Sequence, residues 1–144
     1  MIAVDTNILV YAHRADSQWH QKADELLTEL AESRASWAIP WPCIFEFYAI
    51  VTHPRIYKPP TPPADARIQV SHWMESPSLI LLYEGEEFWS ALDSVLQKSG
   101  VVGGAVHDAR IATLCMRHGV KKLLSVDRDF SRFQGLRTEN PLLP

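Results

Sequence analysis

The chain begins with the stretch MIAVDTNILVY, residues 1–11, in which an apolar run meets an acidic residue. Residues 2–4 are apolar and β-favouring, which predicts a short strand buried on both faces of a parallel sheet. Asp5 stands where this strand ends. A carboxylate at that point has two explanations: it caps a helix, or it faces a ligand beyond the carboxyl end of the sheet.

The rest of the chain alternates between strand and helix signals. Short apolar runs at 36–39, 79–83 and 123–126 predict further strands. Helical spacing of apolar residues predicts a helix that starts at Asp16 or Ser17, and others around 42–53, 66–76, 88–99 and 105–118. This alternation predicts an α/β fold, a three-layer α/β/α sandwich with a central parallel sheet.

Length and composition fit one globular domain, residues 1–144. The chain is 47% hydrophobic and 22% charged, far from the composition of disordered proteins. Cys43 and Cys115 are too few for a disulfide framework and lack zinc-site spacing, so we expect two buried thiols in a reducing compartment. No signal segment or membrane-spanning run is visible, and the sequence predicts a cytoplasmic protein with no membrane partner.

The formal net charge of −3 is unevenly distributed. Residues 1–100 carry 13 acidic and 7 basic residues, a balance of −6, whereas residues 101–144 carry 4 acidic and 7 basic residues, a balance of +3. If the acids in the second segment hold cations, the local field attracts a polyanion. Solvated helix faces explain the same asymmetry about as well.

Several acidic residues are expected at one edge of the sheet. Right-handed crossovers direct the carboxyl ends of all the strands to that edge, and the acids follow or adjoin those ends. Each acid alone has a structural explanation as a helix cap, a favourable charge near a helix start or a turn former. The residues are Asp5, Glu46, Asp108, Asp127 and Asp129.

Together these carboxylates would repel one another, and a divalent cation resolves the repulsion. Mg²⁺ takes oxygen ligands, whereas the His and Cys set that zinc prefers is missing. Two such ions could stabilise the attacking and leaving oxygens of phosphodiester hydrolysis. Glu46 is the hardest acid to explain without a cation, because Ile44, Phe45 and Phe47 surround it in the sequence.

Four segments carry these acids in order: DTNILVY with Asp5, WPCIFEFYAIVTHPRIY with Glu46, VGGAVHDARIA with Asp108, and SVDRDF with Asp127 and Asp129. Together they resemble the PIN-domain ribonucleases, and among these the VapC-type toxins of bacterial toxin–antitoxin pairs. The resemblance extends over residues 2–141. It implies a PIN-like fold and an endoribonuclease that hydrolyses RNA with Mg²⁺ or Mn²⁺, with a cognate antitoxin as inhibitor and a homodimer as the common assembly.

The resemblance also assigns roles to the acids. Asp5, Glu46, Asp108 and Asp127 match the family's catalytic, metal-binding acids, and Asp129 matches a fifth acid that some members use. We expect Asp5, Glu46 and Asp108 to anchor one ion. Asp127 would then ligate a second ion or orient water.

Supporting polar residues follow from the same resemblance. Thr6 matches a hydroxyl that hydrogen-bonds within the acidic site, Asn7 supports the first turn, and Ser125 stands where the family more often has threonine. His107, beside Asp108, could move a proton, but a surface or capping role explains it better because water activated by a metal does not need it.

Contacts with RNA are assigned to basic residues around the site, namely Arg110, Arg128 and Arg132, although solvated helix faces explain them nearly as well. Among the five tryptophans, Trp73 and Trp89 lie on or beside apolar helical faces and are expected in the core. Trp41, near Glu46, is expected to face a partner.

Two other classes of function compete with the nuclease. A catalytically silent PIN scaffold could bind RNA or a protein partner, although such a scaffold does not need a costly acidic cluster. An aspartyl-phosphate protein would also place an aspartate at the end of a strand. A phosphatase of that kind expects a second acid two residues after the first, where this chain has Asn7.

Overall fold

The first strand forms the centre of the sheet. A computed structural model describes all 144 residues, and its five strands are all parallel, in the order β3-β2-β1-β4-β5. Ala3 lies opposite Ala38 on one side and opposite Leu123 on the other. The strands are β1 (Ile2–Val4), β2 (Trp37–Pro40), β3 (Leu79–Leu82), β4 (Lys122–Leu124) and β5 (Arg137–Glu139).

Helices cover both faces of this sheet, which confirms the predicted three-layer sandwich. The helices are α1 (Thr6–His13), α2 (His20–Glu32), α3 (Trp41–Val51), α4 (Pro63–Met74), α5 (Phe88–Ser99) and α6 (Ala105–Arg117), with a 3₁₀ helix at Arg128–Arg132. The chain runs outward from β1 to β3 and then crosses to β4 and β5. Right-handed crossovers therefore place α1 to α4 on one face and α5 and α6 on the other, and each group packs internally.

Buried apolar side chains explain why the central strands are short and uninterrupted. Every residue of β2 is buried, as are Ala3 and Val4 of β1. Prolines stand in the first turns of α3 and α4, where the missing N–H costs nothing. None of the helices combines the length and apolar composition that crossing a bilayer requires.

Three elements were not predicted, namely α1, the 3₁₀ helix and β5, and one predicted helix start was wrong. The first helix begins directly after Asp5, whereas α2 begins at His20 and not at Asp16 or Ser17; the Ser17 hydroxyl instead accepts from the Trp19 N–H (3.1 Å) in a turn. The edge strand β5 has a polar, largely exposed sequence without an apolar run. Its pairing with β4 comes from tertiary structure rather than from local pattern.

The order of the strands determines where a site can form. From β1 the chain builds the sheet first toward β3 and later toward β5, so the order reverses between β1 and β4. The segments that follow these two strands therefore leave toward opposite faces of the sheet. A crevice at such a reversal is where open parallel sheets bind ligands. Asp5 follows β1 and Ser125 follows β4, so both residues lie at this crevice.

Candidate active site

Asp5 is the only acidic residue that the fold buries, at 5% exposure. Its N–H donates to the Leu124 carbonyl oxygen (2.9 Å) as β1 ends, and the chain then turns into α1. Its carboxylate accepts from the Thr6 N–H (2.8 Å) and so caps that helix. Helix capping is therefore confirmed for Asp5. It does not exclude the second explanation, because the carboxylate also stands at the crevice.

Four donors from three parts of the chain surround the Asp5 carboxylate. Oδ1 accepts from the Thr6 N–H and from the Cys43 thiol, whose Sγ lies 3.6 Å away. Oδ2 accepts from the Ser125 hydroxyl (2.7 Å) and from the Asn7 amide (3.4 Å). Since Asn7 Nδ2 also lies 3.3 Å from Ser125 Oγ, these side chains hold one another in place.

Burial raises the pKa of Asp5 to about 6. The Ser125 and Thr6 hydrogen bonds oppose that rise, whereas the negative charge of Glu46 adds to it. Glu46 is itself fixed, because the Thr6 hydroxyl donates to its Oε2 (2.8 Å). Thr6 thus joins the two acids, with its N–H on one and its hydroxyl on the other. We refer to Asp5 and Glu46 as the inner pair.

Glu46 is less enclosed than its sequence neighbours suggested. It is half-buried on α3, while Phe45 next to it is 60% exposed and Phe47 is fully buried on another side of the helix. Adjacent helical residues point about 100° apart, so apolar neighbours in sequence do not surround a side chain in space. The cost of a buried carboxylate, expected at Glu46, applies to Asp5.

The other three acids converge separately, and we refer to Asp108, Asp127 and Asp129 as the outer triad. One carboxylate oxygen from each lies within 4.8 Å of the others. Asp108 stands in the first turn of α6, and Asp127 caps the 3₁₀ helix by accepting from the Asp129 N–H (2.8 Å). The predicted grouping of Asp5, Glu46 and Asp108 around one ion is not the set that lies closest together. The turn at Asp127 places Asp129, rather than Asp5 or Glu46, beside Asp108.

Repulsion within the site is visible in the pKa of Asp108. Partial burial raises that pKa, and the negative charges of Asp127, Glu46 and Asp129 raise it further, while Arg132 opposes them. Glu46 acts on both Asp5 and Asp108. The inner pair and the outer triad therefore form one continuous acidic site.

The donor set of this site fits a divalent cation of the Mg²⁺ or Mn²⁺ type. Carboxylate oxygens are the ligands such ions take, and neither a histidine nor a thiolate belongs to the triad. Cys43 remains a thiol, because burial and the neighbouring Asp5 charge raise its pKa. A cation among Asp108, Asp127 and Asp129 would remove the repulsion that Arg132 only partly offsets.

The basic candidates differ in their freedom to meet a polyanion. Arg110 forms an ion pair with Glu84, and Arg132 pairs with Asp129 (3.3 Å) and donates to its carbonyl oxygen (2.9 Å). Arg128 is exposed and forms no ion pair. His107 is exposed, which agrees with the surface role that the sequence favoured.

Cys43 belongs to the acidic site, which the sequence interpretation missed. Both cysteines are buried and free, as predicted, but Cys43 also contacts Asp5. A signal was available: Cys43 precedes Glu46 by three residues on α3, so the two share a helix face. Trp73 is buried as expected, but the prediction for Trp89 was wrong, because this residue is 67% exposed on α5.

Comparisons with known proteins identify the family. The model of the PIN domain matches residues 2–136. A VapC ribonuclease from Mycobacterium bovis is 34% identical over 142 residues, covering 99% of this chain and 96% of its own, and ribonuclease VapC43 from Mycobacterium tuberculosis matches to the same extent. Ribonuclease VapC48 from Mycobacterium tuberculosis is 28% identical over 137 residues, 95% of this chain and 94% of its own.

Solved structures share the fold at lower identity. VapC20 of Mycobacterium tuberculosis, described as a toxin that cleaves the sarcin-ricin loop, has a TM-score of 0.68 at 14% identity and covers 91% of this chain and 93% of its own. A chain of VapBC-1 from nontypeable Haemophilus influenzae has a TM-score of 0.67 at 17% identity, with 99% and 100% covered. On the family model and the relatives at 34% identity, this chain belongs to the PIN-domain family, in its VapC ribonuclease group.

Proposed function

We propose that this chain, acting as one domain, is an endoribonuclease that hydrolyses RNA phosphodiester bonds with Mg²⁺ or Mn²⁺ and serves as the toxin of a toxin–antitoxin pair. The observation that carries the proposal is the approach of Asp108, Asp127 and Asp129 to within 4.8 Å of one another, beside an ionisable buried Asp5. Relatives named as VapC ribonucleases support it.

The inner pair acts as a rigid wall of the site. Asp5 has donors on both oxygens and Glu46 is held by Thr6, so neither side chain must reorient when RNA arrives. With a pKa of about 6, Asp5 is mostly ionised at neutral pH. The pair thus supplies fixed negative charge for a cation and for water near the phosphate.

The outer triad would hold the cation itself, since its oxygens are close together and reachable from solvent. A bound divalent cation makes water more acidic and offsets the negative charge that develops on the phosphate. Arg128, free of ion pairs and adjacent to Asp127, is placed to attract the RNA backbone, and Arg110 and Arg132 would add positive charge at the same edge.

An exposed apolar surface supports the proposal that this chain binds a protein partner. A groove of about 420 Å³ between α3 and α4 is lined by Ile44, Phe45, Tyr48 and Val70, with Arg67 at its side. Trp41 stacks on Phe45 with ring centroids 5.9 Å apart, so the exposed Phe45 is held in place. Exposed apolar patches of this kind mark protein interfaces, and we assign this one to the antitoxin or to the second copy in a homodimer.

RNA cleavage by the purified protein tests the enzymatic part. We expect cleavage of a pool of single-stranded and hairpin RNAs with MgCl₂ or MnCl₂, and none with EDTA. Asp108→Asn should lower the rate at least ~100-fold, because even the mutation of a residue that hydrogen-bonds to a metal ligand lowers metal affinity or activity ~10- to 100-fold. Asp65→Asn, the same change at an exposed residue of α4, is the matched control and should leave the rate unchanged.

Two results would contradict the proposal. Equal cleavage with Mg²⁺, with EDTA and by Asp108→Asn would exclude the metal-dependent site. Absence of cleavage of every RNA in the pool, with RNA binding intact, would favour the catalytically silent scaffold.

A further inference from the structure

A second cavity adjoins the acidic site on the side of β5. It has a volume of about 320 Å³ and lies beyond the carboxyl ends of β4 and β5, with Asp127 as the wall that it shares with the outer triad. This volume falls at the lower end of the ~300–1,000 Å³ that small-molecule sites span. We infer that this cavity binds one nucleotide of the RNA next to the bond that is cleaved, an inference that rests on the proposed function.

Positive charge at the cavity is not neutralised by the protein. Arg128 lines it and has no carboxylate partner, unlike Arg110 and Arg132. A free guanidinium binds phosphate through paired N–H donors. The Ser131 hydroxyl, on the same 3₁₀ helix and in the same lining, has no protein partner and can add a further donor. The phosphate of the bound nucleotide therefore belongs at this end of the cavity.

The opposite end of the lining can recognise a base. The Asn140 Oδ1 accepts from the Leu142 N–H (3.0 Å), which fixes the orientation of the amide and leaves its Nδ2 hydrogens without a protein acceptor. Amide hydrogens of this kind recognise carbonyl oxygens on a base. Guanine, uracil and cytosine carry such an oxygen, whereas adenine offers only ring nitrogens as acceptors.

Apolar side chains complete the cavity and can pack against the ring of the base. Val126 and Leu143 line it, and Leu143 is 49% exposed. The remaining acid of the lining, Glu139, does not repel a nucleotide strongly because Lys122 binds it (2.8 Å). A phosphate donor, a base donor and apolar walls in one cavity fit a nucleotide better than a metal ion or a purely apolar ligand.

The first test measures binding without catalysis. The full chain is titrated in EDTA with each of the four nucleoside 5′-monophosphates, and binding is followed by amide chemical shifts. Arg128→Gln should weaken all four about tenfold, the scale of one bidentate contact. Asn140→Ser should weaken GMP, UMP and CMP toward the level of AMP. Arg34→Gln, the same change at an exposed arginine before β2, should change nothing.

Serine is the suitable replacement at Asn140 because it preserves the turn. Its hydroxyl can accept from the N–H two residues on, as Ser17 does from Trp19 (3.1 Å) and Ser33 from Ala35 (3.1 Å) in this chain. It adds no charge. A loss of nucleotide binding in Asn140→Ser with an unchanged Tm is thus a loss of recognition rather than of folding.

The second test uses cleavage and separates this inference from the proposed function. In the RNA pool, Asn140→Ser should relax the base preference at one position beside the cut, and Arg128→Gln should lower the rate while leaving the preference unchanged. Normal cleavage by the wild type without nucleotide binding, or binding that neither substitution weakens, overturns the inference and leaves the nuclease intact. Nucleotide binding that both substitutions weaken, without cleavage of any RNA, upholds the cavity and overturns the nuclease.

Discussion

The inner pair and the outer triad place negative charge at one edge of the sheet by different means. Asp5 and Glu46 are held by hydrogen-bond donors that the fold supplies, and Asp5 is buried to 5% exposure. The outer triad has few such donors, and the negative charges of Asp127 and Asp129 raise the pKa of Asp108. The protein therefore stabilises the inner pair with its own donors, whereas the outer triad needs a cation to offset its charge.

The largest expected effect is the pH dependence of the inner pair. The pKa of Asp5 rises from 3.8 to about 6 in the folded state. Its contribution to stability is therefore fully present below about pH 4 and is lost as the pH rises through 6. In EDTA, the free energy of unfolding of Asp5→Asn minus that of the wild type should grow by about 3 kcal/mol between pH 3 and pH 8, at 1.36 kcal/mol per pKa unit.

Asp16 offers a control of opposite sign when the free energies of unfolding are measured by urea titration at each pH. A hydrogen bond from Arg14 lowers the pKa of Asp16, so its contribution is gained as the pH rises and lost in acid. The free energy of unfolding of Asp16→Asn minus that of the wild type should therefore fall as the pH rises, whereas the same difference for Asp5→Asn grows. A flat difference for Asp5→Asn would mean that the donors around Asp5 offset its burial completely.

The next effect concerns the outer triad and the cation. A ligand at a hundred times its Kd stabilises the folded state by ~2.7 kcal/mol, so saturating MgCl₂ should raise the Tm at pH 7. Asp127→Asn should abolish the Mg²⁺-dependent part of that rise while leaving the Tm in EDTA unchanged or higher, because one repelling charge is gone. A Tm that Mg²⁺ does not move, measured by calorimetry, would show that the triad holds no cation.

The sequence predicted the parts of the fold that depend on local pattern. The apolar runs of β1 to β4 and the acids beside their carboxyl ends are explicit in the chain, and parallel topology then brings those acids to one edge. The polar edge strand β5 and the short α1 have no such pattern. Helix α1 begins directly after the strand, where Asp5 caps it.

The arrangement of the inner pair could not be predicted, because it depends on hydrogen bonds between distant residues. Ser125 reaches Asp5 across 120 positions and Thr6 reaches Glu46 across 40, and neither contact leaves a spacing to detect. The enclosure of Glu46 was overestimated because its neighbours in sequence point elsewhere on the helix. The exposure of Trp89 was missed for a related reason: an apolar face predicts burial only where another element covers it.

A smaller effect is expected from the donor that joins β4 to the inner pair. Ser125→Ala removes the hydroxyl that donates to Asp5 Oδ2 (2.7 Å) and accepts from the Asp127 N–H (3.0 Å). A hydrogen bond to a charged group contributes ~1.5–3 kcal/mol, and the Asn7 amide still donates to Oδ2 (3.4 Å) in the variant, so we expect a loss of about 1–2 kcal/mol in urea unfolding at pH 7. The pKa of Asp5 should rise further. Ser125→Thr retains the hydroxyl and should lose much less, whereas an equal loss in both variants would indicate a packing effect.

The smallest effect tests whether the protein supplies any counter-charge to the outer triad. Arg132 pairs with Asp129 where the two side chains are 36% and 63% exposed, and exposed pairs contribute ~0.2–1 kcal/mol. Arg132→Gln should cost no more than about 0.5 kcal/mol in EDTA, and that cost should vanish in about 1 M salt. Removing this guanidinium should also raise the affinity for Mg²⁺ about twofold, because a competing positive charge is gone. A loss of stability that Mg²⁺ cannot restore, together with weaker Mg²⁺ binding, would mean that Arg132 organises the outer triad. The protein would then stabilise the outer triad as it stabilises the inner pair, and the difference between the two would fail.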